Sequence, residues 1–448
     1  KATQEFPTME RKRPLALLAW TTVALAGLTL RVVHVQDMEY KEDEQYNYTV
    51  SQEIGAPGKA FPWSGIPSGV FIKNPGLSVW IYAATARVAM AKTPLELARA
   101  QQVFSWLSLL LIPLLFFKRK TRLVRPWDSA WFWAFCVGML NPFMIYYARK
   151  LWPEPYLPVF TLLMLWGWQR RGSILGASIW GLAGALSGQV HMSGFFLAAG
   201  AVLATLLSRE ARAKTHWMAW TIASTLGALP LVPWLIEWWQ SPPLVGVINR
   251  GIGEMIQLKY WVFSLTQPLG LHLGSVVGIN RGASQFDHLS DFVRYPLIGE
   301  APTYLGFLAH WLLRVLLIVF IVHGGRTLLA MRPQLKSLNR SGRFEFVWWL
   351  GAFAFAGIAL TLTGAQIRRY YVAVLFPLDA LLMAHVFLSL RRYSHLVLTA
   401  AVVAQGVVSA CFVQYVHRNA GAPQGDYGAA YHQVIQTGPV IWHPERTY

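Results

Sequence analysis

The sequence predicts an all-α integral membrane protein with about 11 transmembrane helices. Of its 448 residues 54% are hydrophobic and only 13% charged, too apolar for a soluble multidomain chain. The apolar residues gather in runs near the ~20 residues needed to cross a hydrocarbon core. Lys and Arg sit in short clusters between those runs. The formal charge of +18 would point to nucleic acid if the cations lined one face of a polar domain. Scattered between apolar segments, they argue against a nucleic-acid partner. Cys136 and Cys411 both lie inside apolar runs and read as small buried hydrophobes rather than a disulfide pair or metal ligands.

Arg11, Lys12 and Arg13 precede PLALLAWTTVALAGLTLRVV, residues 14–33, which reads as an uncleaved signal anchor with a cytoplasmic N-terminus. Further apolar runs lie near 101–117, 127–147, 156–168, 173–190, 193–207, 217–239, 305–323, 345–363, 371–388 and 395–414. The run LSVWIYAATARVAMA, 77–91, is shorter and contains Arg87. If it spans, KRKTRLVR at 118–125 and the later basic loops face outward, against the tendency of Lys and Arg to stay in the cytoplasm. If it lies at the interface, the cytoplasmic segments hold 21 of the 39 basic residues, so it is read as an interfacial helix. The membrane domain then covers 1–414, with a first outer loop at 34–99 and a long outer loop at 240–304. A short extracytoplasmic tail follows at 415–448.

This topology places DMEYKEDEQY, residues 37–46, outside. Tyr46, Val50 and Ile54 recur at helical spacing, so a short amphipathic helix lying on the membrane would carry Asp43 and Glu44 at its start. A carboxylate there is placed to take a proton from a hydroxyl or amine nucleophile; the alternative is a solvated acidic loop. Lys73 stands ahead of the Asn74-Pro75-Gly76 turn. ARKLWPEPY at 148–156 adds Arg149, Lys150 and Glu154, GQVHMSG adds His191, and QIRRYY adds Arg368, Arg369 and Tyr370. Cations at outer span ends run against the charge rule, which marks them as candidates for holding an anionic group. The competing reading is Arg snorkelling toward lipid phosphate. Carboxylates and cations on one side suit transfer from a lipid phosphate, where cations stabilise the departing phosphate and a carboxylate deprotonates the acceptor. No Walker-type Gly-rich sequence is present.

The order of these elements resembles the GT-C superfamily of polyprenyl-phosphate-sugar glycosyltransferases, especially the branch of protein O-mannosyltransferases and the lipid A aminoarabinose transferase. The resemblance rests on a first span followed by Asp43-Glu44-x-Tyr46, on Lys73-Asn74-Pro75-Gly76-Leu77 with Trp80 and Arg99, on ARKLWPEPYLPVF and on RRYYVAVLFP at 368–377. It is strongest over residues 14–210. It implies a GT-C-like fold with extracytoplasmic juxtamembrane helices in the first outer loop. It also implies an inverting transferase, independent of metal or weakly dependent on it, so that a divalent metal is an open expectation. Asp43 would be the base with Glu44 beside it. Lys73, Arg149, Arg368 and Arg369 would hold the donor phosphate, and Tyr46, Glu154, His191 and Tyr370 would line the substrate site. The implied partners are a polyprenyl-phosphate sugar donor, a glycolipid, glycan or protein acceptor, and membrane lipids. The implied location is a bacterial inner membrane, with the site facing the periplasm or exterior. The sequence departs from the family's pattern where Glu154 stands for Asp, Asn74 for Pro and His191 for Lys.

The competing class is a transporter or flippase for a lipid-linked sugar, which should show paired repeats and ionisable residues near the midplane; here the charge gathers at one face. Asp379, inside a span, is an expensive group of a kind that is often functional; pairing with His385 or Arg314 is one reading, and a structural contact is the favoured one. Asn47-Tyr48-Thr49 matches a glycosylation sequon.

Overall fold

The computed structural model describes residues 12–67, 72–117, 125–240, 258–271, 292–331, 343–363, 367–422 and 427–437. Most of the basic segment 118–125, much of the basic segment 326–343, large parts of 240–304, expected as a long outer loop, and the end of the chain lie outside the described residues. The described chain is helical apart from three two-stranded ribbons. Its main helices are α1 (Lys12–Val32), α2 (Glu42–Glu53), α3 (Leu77–Ala89), α4 (Pro94–Leu109), α5 (Ala130–Leu140), α6 (Leu157–Gln169), α7 (Ile174–Val190) and α8 (Ser193–Leu207). They continue with α9 (Trp217–Ala228), α10 (Leu231–Gln240), α11 (Leu305–Met331), α12 (Arg343–Leu362), α13 (Leu378–Leu388), α14 (Ser394–Arg418) and α15 (Tyr431–Thr437).

Four of the described helices are long and apolar enough to cross a membrane, at Pro14–Val32, Pro94–Leu115, Leu305–Ala330 and Arg391–Arg418. Two bent pairs, α9 with α10 and the turn Arg369–Leu375 with α13, would add one span each. Helices of 11 to 17 residues such as α5, α6 and α7 reach at most about 25 Å at 1.5 Å per residue, short of a ~30 Å core. The run at 127–147 shows why. Asn141 caps a second helix, Pro142–Ala148, by accepting from the Phe143 amide at 2.9 Å, so the apolar run is broken in two by an Asn-Pro step. The eleven-span expectation is therefore met by length in only part of the chain.

Close approach of the helices depends on small residues, as expected where lipid supplies no hydrophobic drive. A Cβ on Gly200 of α8 would stand 2.4 Å from the Ala352 carbonyl oxygen of α12. Beside this contact Trp168 and Trp348 stack 3.7 Å apart. Both indoles donate to the Thr205 hydroxyl, at 3.0 and 2.8 Å, so three helices share one buried polar atom at no cost in unsatisfied groups.

The segment 34–99 differs from expectation in one respect. α2 forms where predicted, but its buried face is polar, made by Glu44, Asn47 and Ser51, while Tyr46 and Val50 of the predicted stripe stay half-buried and Ile54, just past the helix end, is buried. It packs onto protein: the Asn47 amide donates to the Leu151 carbonyl at 2.7 Å, and Tyr48 donates to the Lys92 carbonyl at 2.6 Å. Asn47, the sequon residue, is thereby buried and committed. α3 begins on the Asn-Pro-Gly turn and buries Ser78, Val79, Tyr82 and Ala86 on one face. The short strands Ser64–Pro67 and Lys73–Pro75 pair antiparallel in front of it.

The tail is tied back to this loop. Glu39 bridges Ala430, the Tyr431 amide donates to the Met38 carbonyl at 2.8 Å, and the Tyr427 hydroxyl donates to the Asp37 carbonyl at 2.5 Å. Within α13, Asp379 Oδ1 accepts from the Ala380 amide at 2.7 Å, a structural contact at the start of the helix.

Candidate functional site

The start of α2, the strand pair, the turn 152–154, the break between α7 and α8 and the turn before α13 meet around a cavity of about 270 Å³. Asp43, Asn47, Ile66, Asn74, Trp152, Glu154, His191, Tyr370 and Tyr371 are among its lining residues. Each polar group reaches it for a local reason. Asp43 lies in the first turn of α2, where the helix dipole favours a carboxylate. Glu154 opens a 3-10 turn fixed by Pro153 and Pro155. His191 ends α7 in extended backbone.

The walls set the ionisation. Glu154 is buried, and desolvation pushes its carboxyl up to about 8, against the pull of a backbone hydrogen bond and Lys150 and with the help of Asp43. Its Oε2 has no hydrogen-bond partner among the described residues. Near neutral pH this group is a protonated donor. Asp43 is open to the cavity, yet removal from bulk water raises its carboxyl as well, while Lys150 and Lys41 hold it down. Burial lowers His191 to about 4, so its ring is neutral. The Ser193 amide donates to its Nδ1 at 3.3 Å, and the Ser193 hydroxyl lies 2.7 Å from the same atom. Nδ1 is thus an acceptor, the proton sits on Nε2, and Nε2 lies 4.0 Å from Glu154 Oε1.

Behind the cavity lies an ion network. Glu39, fully buried, pairs with Lys150 and with Lys41 at 2.5 Å. Lys150 also donates to the Tyr146 hydroxyl at 2.9 Å and sits 3.4 Å from the ring centre of cavity-lining Trp152. Burial disfavours its charge, but Glu39, Glu44 and Glu154 outweigh that and hold it protonated.

Of the residues read from sequence, Asp43, Glu154, His191 and Tyr370 therefore line one cavity. The others do not. Glu44 is buried under α2, where its Oε2 accepts from the Lys41 amide at 3.0 Å; burial and the neighbouring Glu39 push it up to about 8. Arg149 points away and donates to the carbonyls of Arg31, Val33 and His34 at 3.2, 2.7 and 2.7 Å. Its exposure is zero, and no anion reaches it. Lys73 pairs with Glu237 of α10 at 2.8 Å, both partners exposed. Arg369 lies over Phe143 and Phe263 and reaches Thr266. Tyr46 and Arg368 fall outside the lining, although Tyr46 is near enough to Glu237 to feel its charge and Arg368 near enough to act on Tyr370. Of the two neighbouring cations in this turn, Lys150 faces the carboxylates and Arg149 faces backbone carbonyls. Among the described residues, the side chains that gather as a metal-type group are His34, Asp37 and His417, outside this cavity.

No family model and no curated protein matches the sequence. Among solved structures, the apo crystal structure of the Archaeoglobus fulgidus oligosaccharyltransferase aligns with a TM-score of 0.45 and 13% identity, over 98% of this chain and 62% of that one. The chain thus spans under two thirds of that protein's length. A likeness this low establishes neither family nor activity.

Proposed function

We propose that the protein is a membrane glycosyltransferase that moves a sugar from a polyprenyl-phosphate donor to a glycolipid, glycan or protein acceptor on the outer face of a bacterial inner membrane. The observation that carries this reading is the convergence of Asp43, Glu154 and His191, from three distant parts of the chain, on one cavity walled by Trp152, Tyr370 and Tyr371. Aromatic faces suit a sugar ring, and the three polar groups supply a base and two neutral donors.

In this mechanism Asp43 takes the proton from the acceptor's hydroxyl or amine. The freed electron pair forms the new bond to the anomeric carbon as the bond from that carbon to the phosphate oxygen breaks, with inversion, and the phosphate leaves with the electron pair of the broken bond. A neutral Glu154 and the His191 Nε2–H donate hydrogen bonds to sugar or phosphate oxygens without adding negative charge beside the leaving group. Lys150 lowers Asp43 toward its working, ionised form. Lys73, beside the lining residue Asn74, and Arg368, close to Tyr370, are the cations placed to meet the phosphate, Lys73 by exchanging Glu237 for it.

The test compares envelope glycolipids and glycans by mass spectrometry in cells carrying the wild type, Asp43→Asn or no copy of the gene. A sugar modification present with the wild type and missing from the other two supports the reading. Normal modification with a stably folded Asp43→Asn variant removes it.

A further inference from the structure

Where α1 ends, the chain turns through His34, held in left-handed backbone (φ 50°) and fixed by the Arg149 bond to its carbonyl. Asp37 follows in a 3-10 turn and is fully buried. Facing it from the far end of α14 is His417, whose Nδ1 lies 2.8 Å from Asp37 Oδ2. From α15 comes His432, whose Nδ1 stands 3.1 Å from Oδ1. That second approach lacks hydrogen-bond geometry, so Oδ1 is a buried carboxylate oxygen without a hydrogen-bond partner among the described residues. The rings of His34 and His417 stack with centroids 3.6 Å apart, and one ligand atom each from His34, Asp37 and His417 fall within 4.8 Å of one another.

We propose that His34, Asp37 and His417 bind a zinc-type divalent ion that fastens the C-terminal tail to the first outer loop. Two imidazole nitrogens and one carboxylate oxygen make a borderline donor set, which suits Zn²⁺ and disfavours Mg²⁺ and Ca²⁺, whose shells are all oxygen. A tetrahedral zinc site has edges of about 3.3 Å, so binding draws the ligands inward and turns His417 out of the stack. His417 is free to make that turn, because it sits at a helix end with its side chain 42% exposed. His432 is close enough to complete the shell, leaving its contact with the Gln36 carbonyl at 3.3 Å. The site is separate from the cavity, and its ligands are brought together by the same contacts that already hold the tail against residues 37–40.

The test uses the full chain in detergent, stripped with a chelator, incubated with Zn²⁺ and freed of excess ion, with metal counted by mass spectrometry. One zinc retained per chain, lost in His34→Ala and His417→Ala but kept in Asp43→Asn and Glu154→Gln, supports the proposal. No retention overturns it, as does retention unchanged in the two histidine variants, or loss in the cavity variants instead. Should the histidine variants fail to fold, Co²⁺ titration of the wild type decides. An intense visible spectrum of a four- or five-coordinate nitrogen-containing site is expected, and a weak spectrum of six oxygen ligands overturns the proposal.

Discussion

Arg149 and Glu154 stand five positions apart in one short turn, yet they belong to opposite kinds of site. Arg149 spends its guanidinium on three backbone carbonyls at the end of α1. Arg31 does the same, donating to the carbonyls of Gly27, Gly138 and Met139 at 2.7 to 2.9 Å and so closing the C-terminal end of α5, where carbonyls have no helical partner. Around Glu154 the groups are incompletely paired: a carboxyl with an open oxygen, an imidazole N–H at 4.0 Å, and Asp43 facing space. Charges committed to backbone carbonyls hold the scaffold, and the groups that face the cavity wait for a ligand.

The contrast is sharpest if Arg149 is cut back. Arg149→Met strands one buried and two part-buried carbonyls, and hydrogen bonds to a charged donor are worth about 1.5–3 kcal/mol each, so a loss of about 4 kcal/mol is expected in thermal or denaturant unfolding. A stable variant with weakened donor binding would put Arg149 back among the phosphate ligands. Asp43→Asn should leave unfolding unchanged and lower sugar transfer by about 100-fold or more, the usual contribution of a positioned base. Because Asp43 must be ionised and its carboxyl is held above the ordinary range, wild-type transfer should fall as pH drops through that raised value. A rate that stays flat down to pH 4 argues for a different base.

Glu154 supplies a third contrast. Its folded pKa of about 8 lies above the ordinary 4.5, so its proton contributes stability that is complete below about pH 4.5 and is lost as pH rises through about 8. Unfolding at pH 6 and pH 9 should show the wild type weaker at pH 9. Glu154→Gln should shrink that difference without abolishing it, because Glu44 is raised to about 8 as well. An unaltered difference would mean that Glu154 is ionised. The smallest effect is expected from Lys73→Ala: its exposed pair with Glu237 is worth less than about 1 kcal/mol, so unfolding should barely move while the KM for the lipid donor rises. A destabilised variant would assign Lys73 to the scaffold instead.

Much of the cavity was legible in the chain because its groups sit at the ends of apolar runs. Asp43, Glu154, His191 and Tyr370 are all of this kind, polar side chains at the mouths of helices. The errors came where the same signal served two purposes. Arg149 and Lys150 are neighbours of equal charge, and only the backbone turn after Ala148 sends one toward α1 and the other toward Glu39. Glu44 carried the same signal as Asp43 but falls on the inner face of α2. The stripe of Tyr46, Val50 and Ile54 suggested a membrane-facing helix, whereas burial of Asn47 against the Leu151 carbonyl turned that helix onto protein. His34, Asp37, His417 and His432 left no local mark, because their partners lie at opposite ends of the chain.

The sequence by itself determined that this is a helical, strongly apolar chain and that Asp43, Glu154, His191 and Tyr370 fall at the ends of its apolar runs. Hydrophobicity and charge placement add up along a chain, so they can be read without coordinates. Only the tertiary structure decided which charge is spent and which is available. That depends on partners within about 4 Å, where Coulomb and hydrogen-bond energies are large, and those partners come from segments that meet only once the helices have packed.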